Sequence, residues 1–193
     1  MAVETKNTPR LLTMYRDVVV PKLREEFSIK NANQVPKLTK ALVNTGVGRF
    51  LENQKLKPEI RDTVIGTLST ITGQKPIMVL AKRSVANFNV REGAPSAFVV
   101  TLRGTRMWHF VDRLLNLAMP RIKDFRGMKE TSFDALGNYS MGLTEQAVWP
   151  EINMTRVSFT HGMNINICFE QSNMEMSRFI LRELGMPFAR KED

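Results

Sequence analysis

The residues able to do chemistry in this chain are few and scattered. His109 stands between Trp108 and Phe110, His161 precedes Gly162, and the single cysteine, Cys168, is far from His109 in sequence. No spacing among them matches a metal-ligand pattern or a cysteine–histidine nucleophile pair. Gly46-Val47-Gly48 lacks both the third glycine of a dinucleotide fingerprint and the Gly-Lys-Ser/Thr of a phosphate loop. Glu25-Glu26 falls on a helix face expected to be solvated, and the 12 methionines read as core filler. The expectation is therefore no catalytic residue, no metal and no cofactor.

One stretch differs in kind. Lys82, Arg83, Asn87, Phe88, Asn89 and Arg91 combine cations, amides and one ring in a segment too irregular for helix or strand. Nucleic acid suits that mixture, with phosphates taking the charges and bases or riboses taking the ring and amides. A merely solvated charged loop fits the composition equally well. The charge distribution favours an anionic partner. Net charge is +9 in 193 residues. Residues 1 to 74 hold 12 basic against 7 acidic groups (+5), residues 75 to 126 hold 10 against 3 (+7), and residues 127 to 193 hold 6 against 9 (−3). The cationic middle is where an anionic partner, nucleic acid or an acidic membrane surface, would be met.

The elements that must position these groups follow from local pattern. Thr8-Pro9 and the spacing of Leu12, Tyr15, Val19 and Leu23 predict a first helix over 9–27, kinked at Pro21. Asn31 to Pro36 reads as a loop and Lys40 to Asn44 as a short strand. Pro58 opens a second helix through Ile60, Val64, Leu68 and Ile71, stopped by Gly73. Ile77 to Ala81 is a short apolar strand, residues 82–95 a protruding loop, and 96–103 a central strand with Phe98, Val100 and Leu102 on one side. A third helix over 105–117 buries Met107, Val111 and Leu114, and a long connection follows over 120–139. Met163, Ile165, Ile167 and Phe169 alternate with Asn164, Asn166, Cys168 and Glu170, the pattern of a half-buried strand. Ser172 and Glu175 form a capping box for a last helix that ends at Gly185 and Pro187.

Together these predict an α+β fold: one domain over 1–193, an antiparallel sheet with helices packed on one face and an extended basic loop. The uncovered face would carry Lys40, Leu42 and Asn44 beside Val99, Thr101 and Arg103. The longest apolar runs are a few residues, too short to span a bilayer. The region from Met1 to Arg10 has no apolar signal core, and one cysteine fits a reducing cytoplasm.

Ordered motifs now narrow the reading. They are Val43-Asn44-Thr45-Gly46-Val47-Gly48, Ile71-Thr72-Gly73-Gln74-Lys75-Pro76, and Ala81 to Phe88 followed by Arg91-Glu92-Gly93. Val100-Thr101-Leu102-Arg103-Gly104, Pro120 to Gly127, Gly137-Asn138-Tyr139-Ser140, Pro150-Glu151-Ile152 and Leu184 to Phe188 complete the series. From Tyr15 to Phe188 the chain resembles the bacterial L-five family of large-subunit ribosomal proteins. That resemblance implies a structural protein, ribosome-bound in the cytoplasm, that binds 5S rRNA and helps attach it to the large-subunit rRNA in the central protuberance. It implies 5S rRNA contacts at Asn44, Gln74 and Thr101, with Lys75, Arg103 and Lys40 beside them. It also implies that loop 82–95, through Lys82, Arg83, Asn87, Phe88 and Arg91, meets P-site tRNA, and that a small-subunit bridge protein is a partner. No membrane partner is implied. Departures from the family pattern are Ala135-Leu136 in place of Gly-Arg, Asn89 in place of lysine, and an unusual segment from Met163 into the last helix.

Readings from other classes are a free RNA-binding regulatory module, an RNA-modifying enzyme and a peripheral membrane protein. An enzyme needs a polar pocket with a perturbed titrating group. A membrane-surface protein needs a basic amphipathic helix bearing exposed aromatics.

Overall fold

The computed structural model describes residues 8–88, 90–157 and 159–189. Asn89, one of the departures from the family pattern, and the N-terminal residues up to position 7 lie outside them. The fold is α+β, with five α-helical segments among the described residues and a five-stranded antiparallel sheet. The strands are β1 (Lys37–Gly46), β4 (Ile77–Leu80), β5 (Pro95–Leu102), β6 (Tyr139–Leu143) and β7 (Met163–Glu170), in the order β4-β5-β1-β7-β6. A separate two-stranded hairpin is made by β2 (Leu51–Glu52) and β3 (Lys55–Leu56).

The chain divides into two compact units. One comprises Met1–Ala41, Arg103–Met141 and Asn166–Asp193; the other comprises Leu42–Leu102 and Gly142–Ile165. In the first, α1 (Arg10–Met14), a π turn (Tyr15–Val19) and α2 (Val20–Glu26) run on as one helix. It buries Leu11, Tyr15, Val19 and Leu23, the spacing read from the sequence. The Tyr15 hydroxyl donates to the Pro36 carbonyl, and its ring lies 5.3 Å from that of Trp108. A kink is expected at Pro21; the chain stays helical through it, and a π turn ends two residues before it. Proline lacks the amide hydrogen and its ring collides with the carbonyl four residues back, and a widened turn relieves both conflicts. The same arrangement recurs after α4 (Gly104–Arg113), where a π turn (Leu114–Ala118) ends two residues before Pro120.

α5 (Met174–Glu183) shows a one-residue correction. Its N-cap is Asn173, whose side chain accepts from the Met176 amide at 2.8 Å. Ser172 instead meets the Ser177 hydroxyl at 2.7 Å. Asparagine caps as well as serine does, so two candidates in a row leave the choice to tertiary packing.

In the second unit α3 (Pro58–Thr72) packs on β5 and buries Val64, Leu68 and Ile71. Gly73 ends it in the left-handed conformation (φ 66°), its amide donating to Ser69. Along β5 Phe98, Val100 and Leu102 are buried while Ala97, Val99 and Thr101 are half-exposed. Burying each of those large side chains contributes about 1.5–3 kcal/mol, so a one-residue slip, which would expose all three, is strongly disfavoured. β1 is longer than expected, and its alternation places Val43 inside with Asn44 half-exposed. β7 matches its expected bounds and alternation. β4 is an edge strand with all four residues exposed, paired to β5 with an irregularity between Val79 and Leu80.

Candidate nucleic-acid interface

Asn44 and Thr101 sit on β1 and β5, neighbours in the sheet, each at a position alternating with buried residues. The Asn44 Oδ1 atom is buried and has no hydrogen-bond partner among the described residues. A buried carbonyl without a donor costs on the order of 1–3 kcal/mol.

Gln74 is half-buried in the turn after α3, and Lys75 beside it is exposed. What holds this turn is Thr72, a residue that sequence reasoning did not single out. Its hydroxyl lies 2.7 Å from the Leu68 carbonyl and 3.0 Å from the Gln74 carbonyl, and it accepts from the Gln74 amide at 3.3 Å. A threonine directly before a helix-ending glycine is the sequence signal for this hold, since such hydroxyls bond the backbone two residues on. The buried Pro76 then fixes the chain as it enters β4.

Lys40 and Arg103 belong to the other unit. Lys40 is half-buried on β1, and Arg103 is exposed in extended backbone at the start of α4. Lys40 is felt electrostatically by Cys168: burial pushes that thiol up, Lys40 opposes the shift and Asp134 reinforces it. A raised thiol pKa makes a poorer nucleophile.

The basic loop is more ordered than its irregular composition suggests. At its base the Ala81 amide donates to Ala94 (2.8 Å) and the Gly93 amide to Ala81 (3.0 Å). Higher up Val85 and Val90 form an antiparallel bridge, with Val85 donating at 2.8 Å and Val90 returning at 3.2 Å. Ser84 Oγ accepts from the Glu92 amide at 2.9 Å, and Ala86–Phe88 makes a 3-10 turn at the tip. This inner ladder holds the side chains outward. Lys82, Arg83, Asn87 and Arg91 are all exposed, and Phe88 is 78% exposed.

The β2–β3 hairpin was not anticipated either. Its turn residues Asn53 and Gln54 have φ of 46° and 66°, the paired left-handed conformation of a type I′ turn, in which asparagine is favoured. An ion pair between Lys57 and Glu52 (2.7 Å) ties its two sides. Next to it in the same unit Arg49 lies over the Phe50 ring, and Phe50 meets Phe159 at 5.0 Å.

The two histidines occupy opposite environments. His109 is exposed on α4. His161 is 1% exposed, with Nδ1 3.3 Å from the Gly162 carbonyl and Nε2 without a hydrogen-bond partner among the described residues. Burial pushes its pKa down and Arg49 adds to the effect, while the Gly162 carbonyl opposes it. Gln146, fully buried, donates from Nε2 to the Phe159 carbonyl (2.8 Å) and accepts the His161 amide at Oε1 (2.6 Å). The cluster is a structural tie. Among the described residues no group of three or more His, Cys, Asp or Glu could hold a metal, and no helix is long and apolar enough to cross a membrane.

Two family models match the chain. Residues 31–91 match that of ribosomal protein L5, and residues 95–188 match that of the C-terminus of the same ribosomal family. The chain is 49% identical over 185 residues to the large ribosomal subunit protein uL5 of Streptomyces coelicolor, covering 95% of this chain and 97% of that one. It is 47% identical over 181 residues to the protein of that name from Synechocystis, covering 94% and 98%. A third relative of that name, from Natranaerobius thermophilus, is 47% identical over 180 residues and covers 93% and 98%.

Proposed function

Starting from the fact that this chain belongs to the ribosomal protein uL5 family, and so is a structural constituent of the large ribosomal subunit rather than an enzyme, we propose that it binds 5S rRNA through the open face of its sheet. In this reading Asn44, Gln74 and Thr101 supply the amides and hydroxyl that recognise folded RNA, and Lys75 takes a phosphate. Lys40 and Arg103 are assigned phosphate contacts in the other unit. Base and ribose groups confer shape recognition while cations hold the backbone. The 5S rRNA is thereby fastened to the large-subunit rRNA, and the protein resides on the ribosome in the cytoplasm.

The observation that carries this reading is the placement of Asn44 and Thr101 at half-exposed positions of two neighbouring strands whose alternate residues are buried. Loop 82–95, with Lys82, Arg83, Asn87, Phe88 and Arg91 exposed, is assigned to P-site tRNA. Contact with a small-subunit protein across the subunit interface belongs to the same proposal.

The test is filter binding of the full chain to 5S rRNA at several salt concentrations. Changing Asn44, Gln74 and Thr101 together to alanine should weaken binding by at least tenfold, about 1.4 kcal/mol, with an unchanged circular-dichroism spectrum. Affinity within about threefold of the unaltered chain would show the site assignment to be wrong. Purely soluble fractionation of the chain in cells would favour a free regulatory module instead.

A further inference from the structure

Two hollows in the second unit share the same wall. One of about 470 Å³ is lined by Asn53, Gln54 and Lys55 of the β2–β3 hairpin and by Arg91 to Ala94 at the base of the basic loop. The other, of about 460 Å³, is lined by Asn53 and Gln54 again, with Gly48, Leu51 and Phe88. The hairpin turn therefore stands beside both the neck and the aromatic tip of a loop from which α3 and β4 separate it in sequence. Both volumes fall in the range of sites that take a small molecule or a single nucleotide, roughly 300–1,000 Å³.

The chemistry of the wall selects the ligand. Lys55 and Arg91 are exposed cations, and no ion pair among the described residues engages either; Glu52, the acidic group nearest in sequence to Lys55, is taken by Lys57 at 2.7 Å. Glu92 is the acidic group in the lining. Phe88, 78% exposed, offers a whole ring face. Two side-chain amides stand on a turn whose conformation is set by its own backbone and by the Lys57–Glu52 pair, so little ordering is needed on binding. Ring, amides and cations on one surface match the base, its polar edge and the phosphate of an unstacked nucleotide.

We infer that the β2–β3 turn and the basic loop form one site for an unpaired RNA nucleotide, its base on Phe88, its polar edge at Asn53 and Gln54, and its phosphate at Lys55 and Arg91. The inference rests on the proposal that the loop faces RNA, and adds to it a second segment that contacts the same nucleotide. The RNA is ribosomal or transfer RNA, which share this chemistry.

The test uses ribosomes reconstituted with the full chain carrying the photocrosslinker p-benzoylphenylalanine in place of Lys55 or of Phe88, with Leu136 as a surface control. Incorporation into the large subunit is verified by sedimentation before irradiation. Crosslinking of RNA from both positions, above the Leu136 level, is expected, and the identity of the RNA distinguishes the two sources. Phe88→Ala combined with the crosslinker at position 55 should lower that yield roughly tenfold, the effect of losing one base stack. RNA crosslinked from position 88 but not from 55, or a position-55 yield indifferent to Phe88→Ala, overturns the shared site and leaves the loop assignment standing. No RNA crosslinked from either position, or crosslinking to protein alone, overturns both.

Discussion

Removing the Gln146 side chain should cost this fold heavily for its size. It is fully buried, and each end of its amide serves a backbone group of one loop: Nε2 donates to Phe159 O at 2.8 Å and Oε1 accepts from His161 N–H at 2.6 Å. Gln146→Ala leaves the part-buried Phe159 carbonyl and the buried His161 amide without partners, at roughly 1–3 kcal/mol each, so the expected loss is about 2–6 kcal/mol. That is a large part of the ~5–15 kcal/mol holding an ordinary domain together. In urea, with a slope of about 1–3 kcal/mol per molar, the midpoint should fall by roughly 1–3 M at unchanged slope. The measurement is equilibrium unfolding followed by tryptophan fluorescence, since the buried Trp149 donates its amide to the Gln146 carbonyl at 3.1 Å. Hydrogen exchange at the His161 amide should accelerate in parallel. A midpoint shift under about 0.5 M, with His161 exchange unaltered, would refute the reasoning and mean that water or loop relaxation satisfies the freed groups.

Gly137→Ala should destabilise by more than 2 kcal/mol on the order-of-magnitude scale for overpacking with backbone strain. There φ is +78° and an added Cβ would lie 2.5 Å from Ser177 Oγ and 2.6 Å from the Asn173 carbonyl; a thermal melt unchanged from that of the unaltered chain would contradict it. His161 should make stability fall in mild acid. Its folded pKa lies below the ordinary 6.5, mainly through burial, so the unfolded chain binds the proton more readily. Stability is then full above pH 6.5, declines as pH drops below it, and stops declining once pH passes the lowered folded value. His161→Gln should flatten that part of a urea-midpoint-versus-pH curve, and an identical slope in both chains would count against the assignment.

Much of the architecture is legible in local pattern because burial on one face imposes a period. The alternation from Met163 to Glu170 and the spacing of Val64, Leu68 and Ile71 each correspond to an element found where expected. β6 escaped the same reading: it is five residues long, with Ser140 and Gly142 diluting the signal of Tyr139, Met141 and Leu143. The β2–β3 hairpin is two residues on each side, too short for any period. The choice of Asn173 over Ser172 as N-cap, and the π turns that precede Pro21 and Pro120, depend on how the chain relieves steric conflict after it has packed.

The chemistry divides along the same line. By itself the sequence determined the class of partner, through a cationic middle without catalytic groups, and the family, through ordered motifs spread from Tyr15 to Phe188. It also determined which side chains are candidates for RNA, because residue type alone decides what can meet a phosphate, a ribose or a base. Only the tertiary structure decided that Thr72 holds Gln74, that the basic loop is cross-braced between Val85 and Val90, and that Asn53 and Gln54 flank Phe88. Those are pairings between segments, and their energies depend on distances that chain order does not encode.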